Sequence, residues 1–213
     1  MQILIQAADA GSGSLVEAAV DHLVITGEAA PPGTVFSDDF ESNQGWVTNP
    51  NGTDTATTGQ WQRANPEATS SGGSAMQLGD TTSGVNALVT GAAAGGSVGA
   101  NDVDGGVTSI RSPSIALPSG GSLTLSFQQY LAHLSNATNA DFLRVSVVSG
   151  SSTTTVFQQL GAASVRAASW SQANVNISTF GGQTVQILVQ AADAGSASLV
   201  EAAVDDLTIT HTP

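Results

Sequence analysis

Hydrophobic positions recur along this chain with a period of two. In "VQILVQ", Val185, Ile187 and Val189 fall on one side while Gln186 and Gln190 fall on the other, and Leu207 and Ile209 alternate with Thr208 and Thr210. Successive side chains of a strand point to opposite faces, so this spacing predicts strands with one face buried. The same pattern runs through "SLTLSFQQY" (Leu123, Leu125, Phe127) and "DFLRVSVVS" (Leu143, Val145, Val147). Shorter runs follow it in "GQWQR", "SAMQL", "NALVT", "TTVFQQL" and "QANVNIS". Many short strands separated by Gly, Ser, Asn and Pro predict an all-β protein, a jelly-roll β-sandwich of mainly antiparallel strands. Helical spacing is nearly absent. "SLVEAAVDDL" holds good helix formers, but the alternation after it predicts a strand end there. "GAAAGGSVGANDVDGGVTS", residues 91–109, is too rich in Gly and Ala to be read as a strand and long for a loop. Such a segment is expected to be mobile or fixed by something it binds.

One strand pair occurs twice. "MQILIQAADAGSGSLVEAAVDHLVIT" at residues 1–26 repeats as "VQILVQAADAGSASLVEAAVDDLTIT" at 185–210, differing only at Met1/Val185, Ile5/Val189, Gly13/Ala197, His22/Asp206 and Val24/Thr208. The offset of 184 residues is far beyond the period of a solenoid, so the repeated unit is a whole domain. Residues 1–26 therefore read as the C-terminal hairpin of a preceding tandem repeat, 27–34 ("GEAAPPGT") as a Pro/Gly linker, and 35–213 as one complete unit. An isolated hairpin is marginal in water, and this one carries Ile3, Ile5, Leu23 and Ile25 without a core of its own. It is expected to assemble against a neighbouring molecule or repeat, by strand addition at a sheet edge or by completing another subunit. The competing expectation is that it caps its own unit.

Charge narrows the partners. The 213 residues contain no Lys and only four Arg against 17 acids, a net charge of -13. That field repels phosphate backbones and anionic lipid, which excludes nucleic acid, and no stretch of 18 apolar residues suggests membrane insertion. Instead it attracts cations. Only 10% of residues are charged, and the remaining polarity is neutral, which suits a secreted or cell-surface protein. The absence of Cys removes disulfides as a source of stability.

Three acidic clusters follow: Asp38, Asp39 and Glu41 in "SDDFES"; Asn101, Asp102 and Asp104 in "ANDVDGG"; Glu201, Asp205 and Asp206 in "VEAAVDDL". Oxygen donors without nearby His or Cys suit a hard cation, and Ca2+ takes six to eight oxygens. Asp102 and Asp104 are the first candidates, with Asp38, Asp39, Glu41, Asp205 and Asp206 at the same or a second site. An EF-hand frame fails, since its first position would be Ala100 and its twelfth Arg111. Catalytic constellations are missing: there is no G-x-S-x-G elbow, adjacent Asp38 and Asp39 point to opposite faces of a strand, and His133 sits among apolar residues, where a structural role is expected. The chain is read as a non-enzyme. Trp61, with Arg63 beside it, is the candidate for stacking on a glycan, against the competing expectation that Trp46 and Trp61 pack in the core.

"VFSDDFESNQGW", "WQRANPEATSSG", "ALVTGAAAGGSVGANDVDGGVTSIRSP" and "VEAAVDDLTIT" together resemble the accessory β-sandwich modules, MAM-like and galactose-binding-like jelly rolls, of secreted bacterial peptidases and large repeat-containing surface proteins. The resemblance spans residues 35–210. It implies a non-catalytic extracellular module with structural Ca2+; the 184-residue period and the lack of catalytic residues point to a repeated structural unit, an adhesin stalk or extracellular filament. The alternative is a carbohydrate-binding module of a secreted hydrolase.

Overall fold

The structure, a computed structural model, describes residues 4–8, 10–13, 15–21 and 33–213. Contacts divide the chain into two units, Met1–Ala30 and Pro31–Pro213.

The second unit holds every strand among the described residues. In chain order these are β1 (Gly33–Asp38), β2 (Val47–Thr48), β3 (Trp61–Ala64), β4 (Thr69–Ser71), β5 (Ser74–Gln77), β6 (Ala87–Thr90) and β7 (Gly106–Arg111). Then come β8 (Ile115–Ala116), β9 (Ser122–His133), β10 (Phe142–Ser149), β11 (Ser152–Leu160), β12 (Ser171–Asn176), β13 (Thr184–Asp193) and β14 (Val200–Thr212). One six-stranded sheet runs β12-β9-β14-β6-β3, with β1 also on β14; the other runs β11-β10-β13-β7-β2, with β8 also on β13. All pairings are antiparallel. The chain is thus the all-β jelly-roll sandwich its alternation predicts, and β13 and β14 lie at the centres of the two sheets.

The alternating residues form the core. Leu123, Leu125 and Phe127 of β9, Leu143, Val145 and Val147 of β10, Ile187 and Val189 of β13, and Leu207 and Ile209 of β14 are all buried in one cluster. Each such side chain contributes roughly 1.5–3 kcal/mol on burial. A second, smaller cluster of Ala87, Val89, Tyr130, Ala132 and Ala203, with Ala75 and Leu78 packed against it, links β6, β9 and β14 to the end of the β4–β5 hairpin. Most residues of this cluster are alanines, which admit close cover where solvent would otherwise be. This is why parts of β6 and β14 are buried at every position and lose the simple alternation.

One expectation is corrected. The segment 91–109 is not wholly loop: β7 begins at Gly106, and the residues before it make hydrogen bonds within the protein. Val103 is buried in the main core and donates its N–H to Val200 O at 2.9 Å, while Thr58 Oγ1 donates to Asp102 O at 2.8 Å. Gly59, at φ +66, permits this approach, because a Cβ there would meet the Asp102 carbonyl carbon at 2.5 Å. None of the described residues in segment 1–26 is in a strand. Leu4, Ile5, Leu15, Val16 and Val20 are exposed, and Ile3, Leu23 and Ile25 lie outside the described residues. The first strand of the complete unit begins at Gly33, two residues before the expected boundary.

Candidate functional site

The antiparallel fold sorts the acids into two groups that the sequence order does not show. Glu201 and Asp205 are four residues apart on one extended strand, about 13 Å at the usual rise, and they join different neighbours.

The first group surrounds the end of β1. Asp38 is buried; its Oδ1 accepts the Phe40 N–H at 2.8 Å and its Oδ2 accepts the Trp46 indole N–H at 2.8 Å. That turn holds Phe40 at φ 58, a conformation a bulky residue rarely adopts, with its ring fully buried and edge-on to Trp46 at 5.6 Å. Glu41 Oε1 accepts from the N–H groups of Val85 (2.9 Å) and Asn86 (2.7 Å), which hold its carboxyl below the usual range. Across the same region, β14 is bulged between Asp205 and Thr208, with Asp206 at φ 47. The bulge turns both carboxylates to one loop: Thr82 Oγ1 lies 2.7 Å from an oxygen of each, and Ser83 Oγ donates to Asp206 Oδ1 at 2.6 Å. Asp38, Asp39 and Asp206 line a cleft of about 290 Å³ with Ser37, Gln44 and Thr208. Here most carboxylate oxygens already accept protein N–H or O–H groups.

The second group is more crowded. Asp102 is buried, and its Oδ2 accepts the Val200 N–H at 3.2 Å. Burial, then the Asp104 charge, push its carboxyl up to about 7. Glu201 is buried next to Thr90, whose Oγ1 is 3.2 Å from Oε2, and burial followed by the Asp102 charge pushes it up to about 9. At neutral pH its carboxyl therefore keeps its proton. Asp193, likewise buried and raised by burial, accepts the Ser198 hydroxyl at 2.9 Å. Asp141 is fully buried and accepts the Thr138 N–H at 2.7 Å and the Ala194 N–H at 2.8 Å. Asp102 and Asp104 open onto a cleft of about 230 Å³ shared with Asn136 and Ser198. Asn101, by contrast, spends its side-chain amide on Ala93 O at 2.9 Å. Among the described residues, no three carboxylate or imidazole groups converge in the arrangement of ready metal ligands.

Sequence reasoning missed Asp141 and Asp193 because each stands alone in its strand or loop. In the sequence each is a single acid, and only the fold shows that both are buried in a chain with four Arg and no Lys. It also joined Glu201 to Asp205 and Asp206, and the fold separates them. Contacts within the protein, of Val103 with Val200 and of Asn101 with Ala93, hold segment 91–109.

Trp61 meets the expectation of core packing, and the glycan-stacking alternative is corrected at that residue. Trp61 is 1% exposed and belongs to the main core, so it has no face to offer a sugar. Arg63 is exposed and donates from Nη1 to Phe40 O at 2.8 Å, bracing the strained turn. Trp46 and Trp170 are half-buried, with their indole N–H groups on Asp38 and on Asp80 O. His133 is fully buried in β9 with Nδ1 3.0 Å from Leu134 O, a structural position, and burial lowers its pKa.

No protein-family model matches the chain, and no curated protein matches it by sequence. Among solved structures it is similar to a cleaved adhesin domain of Lys-gingipain from Porphyromonas gingivalis, at 16% identity over 84% of this chain and 98% of that one, TM-score 0.50. It is also similar to a structure of carbohydrate-binding modules from the β-sandwich superfamily, at 13% identity over 85% of this chain and 63% of that one, TM-score 0.50. At such identities the likeness is one of fold. The chain has the β-sandwich architecture found in adhesin and carbohydrate-binding modules; nothing in the likeness extends to a MAM-like assignment.

Proposed function

We propose that this chain is a non-catalytic structural module of a large secreted or cell-surface bacterial protein, an adhesin stalk or filament repeat, whose sandwich is stabilised by Ca2+. The observation that supports this is the crowding of Asp102, Asp104, Asp193 and Glu201, brought together from the loop before β7, from β13 and from β14, where burial and neighbouring charge push the Asp102 and Glu201 carboxyls up to about 7 and about 9. A divalent cation at the cleft of Asp102 and Asp104 would take oxygens from these two, from backbone carbonyls and from water, and would let the acids ionise. Binding to the folded state alone adds stability by mass action.

The test is thermal unfolding at neutral pH with millimolar CaCl2 against chelator, matched in ionic strength. The melting temperature is expected to rise with Ca2+, and the rise is expected to vanish in Asp104→Asn, which removes the charge of this half-buried side chain while keeping its shape and an acceptor for the Thr58 hydroxyl. Identical curves in Ca2+ and chelator would remove calcium from the reading. A glycan-binding role, the alternative that the fold admits, would need an aromatic platform; Trp46 and Trp170 are its remaining candidates. Glycan-array binding lost on Trp46→Ala or Trp170→Ala would favour that alternative over a purely structural module.

A further inference from the structure

The repeated segment carries an inference that is independent of calcium. Residues exposed in the first copy are core residues in the second: Leu4, Leu15, Val16 and Val20 are 78%, 89%, 48% and 58% exposed, whereas their counterparts Leu188, Leu199, Val200 and Val204 are 5%, 8%, 0% and 0%. The first copy also keeps the two acids that the sandwich holds with specific hydroxyls. Glu17 corresponds to Glu201, the neighbour of Thr90, and Asp21 to Asp205, the acceptor for Thr82. A segment with these residues is written for the β13–β14 position, and that position is central in both sheets. Addition at a sheet edge, as the sequence alone allows, would leave Glu17 and Asp21 without those partners.

The connection fits as well. In the sandwich β14 pairs antiparallel with β1, with Thr210 opposite Thr34 and His211 opposite Gly33. Thr26 and Gly27 are the positions of the first copy equivalent to Thr210 and His211. If the first copy took the β14 position, Gly27 would stand opposite Gly33, leaving "EAAPP", residues 28–32, to close the turn. Five residues lie within the usual hairpin-loop range of about two to five. The first copy can therefore reach the slot in cis.

We propose that residues 1–26 and 185–210 are alternative occupants of one slot, so that the sandwich can be completed by either end of the chain, the first copy giving a circularly permuted form. The second copy is the better occupant. Asp206 takes the Ser83 hydroxyl at 2.6 Å, which His22 in the first copy does not reproduce as an anion, and Ile5 is larger than the fully buried Val189 it would replace. Exchange is accordingly expected when the second copy is impaired.

The full-length chain tests this with Val204→Asp, which places a charge in the core, and Val20→Asp, which changes an exposed residue. Val20→Asp alone is expected to leave the melting curve unchanged. Val204→Asp is expected to retain a cooperative transition at a lower temperature, and the double variant to lose it. Loss of cooperative unfolding in Val204→Asp alone, or identical melting of the single and double variants, would overturn the proposal. A second measurement does not depend on stability. The chain has no Cys, and Thr210 faces Thr124 across β9, so Thr124→Cys with Thr210→Cys reports the second copy and Thr124→Cys with Thr26→Cys reports the first. In the Val204→Asp background the 26–124 disulfide is expected within one chain, seen as a monomer without reductant and as a cross-linked peptide by mass spectrometry. Its absence, or its formation only between chains, would overturn exchange in cis.

Discussion

Asp102 and Glu201 show what it costs a lysine-free chain to bury acids. Their ordinary values of 3.8 and 4.5 apply to the unfolded chain, and burial, then the Asp104 charge on Asp102 and the Asp102 charge on Glu201, move them to about 7 and about 9 in the folded protein. Between those limits the folded state binds more protons than the unfolded one. The stabilisation is complete below the unfolded values and is lost as pH rises through the folded ones. In chelator, the melting temperature is therefore expected to fall between about pH 5 and about pH 9, with Glu201→Gln flattening the part above neutrality. A melting temperature that rises over that interval would contradict the burial of these carboxyls as neutral acids. Asp38 and Asp39 make a sharper contrast, adjacent in sequence and opposite in cost. Removing the Asp38 carboxylate leaves the Phe40 and Trp46 N–H groups without their acceptor at a turn where Phe40 has positive φ. Asp38→Ala is expected to cost about 2 kcal/mol or more, read as a lower urea midpoint at unchanged slope. Asp39→Ala, at an exposed position, is expected to fall within about 0.5 kcal/mol of the parent.

At the scale of the element, legibility follows from how many faces a strand buries. β9, β10 and β13 have long stretches with a large apolar residue at every second position, and their sequences announce them. β4 and β8 do not, since "TSS" and "IA" are too short to show a period, and β7 opens on a glycine that reads as loop. β14 is ambiguous for another reason: it is buried at each position from Val200 to Asp205, so its sequence has no polar face to set the period. The acid groups were legible as residues and illegible as sites, because Asp102 meets Glu201 only through the pairing that sets Val103 beside Val200. The small residues at the second cluster carry their own prediction. Ala203 is fully buried there with Ala87, Val89 and Tyr130, and Leu78 and Ala75 pack against the same cluster. Ala203→Leu is expected to destabilise by about 1–3 kcal/mol through overpacking, measured by chemical denaturation. An unchanged midpoint would mean that this layer is looser than its packing indicates.

Across the whole molecule, charge and fold oppose each other. The chain carries -13 with four Arg to offset 17 acids, and it folds several of those acids into its interior and rim. Compactness raises their mutual repulsion, which the unfolded chain relieves by expanding. Screening should then act in favour of the folded state. Raising NaCl from about 10 mM to about 500 mM shortens the Debye length from roughly 30 Å to under 5 Å, so distant repulsions between exposed acids vanish while the buried pairs stay coupled. The expected result is a melting temperature higher by several degrees, since about 1 kcal/mol shifts a domain of this size by roughly 2–4 °C. Calcium makes the comparison more specific. A simple ionic-strength effect is matched by NaCl at equal ionic strength, whereas an ion held between Asp102 and Asp104 gives a further increase that saturates with concentration and disappears in Asp104→Asn. Calorimetric scans in the two salts separate general screening from a site, and a melting temperature that falls as NaCl rises would show that favourable ion pairs, and not repulsion, dominate this surface.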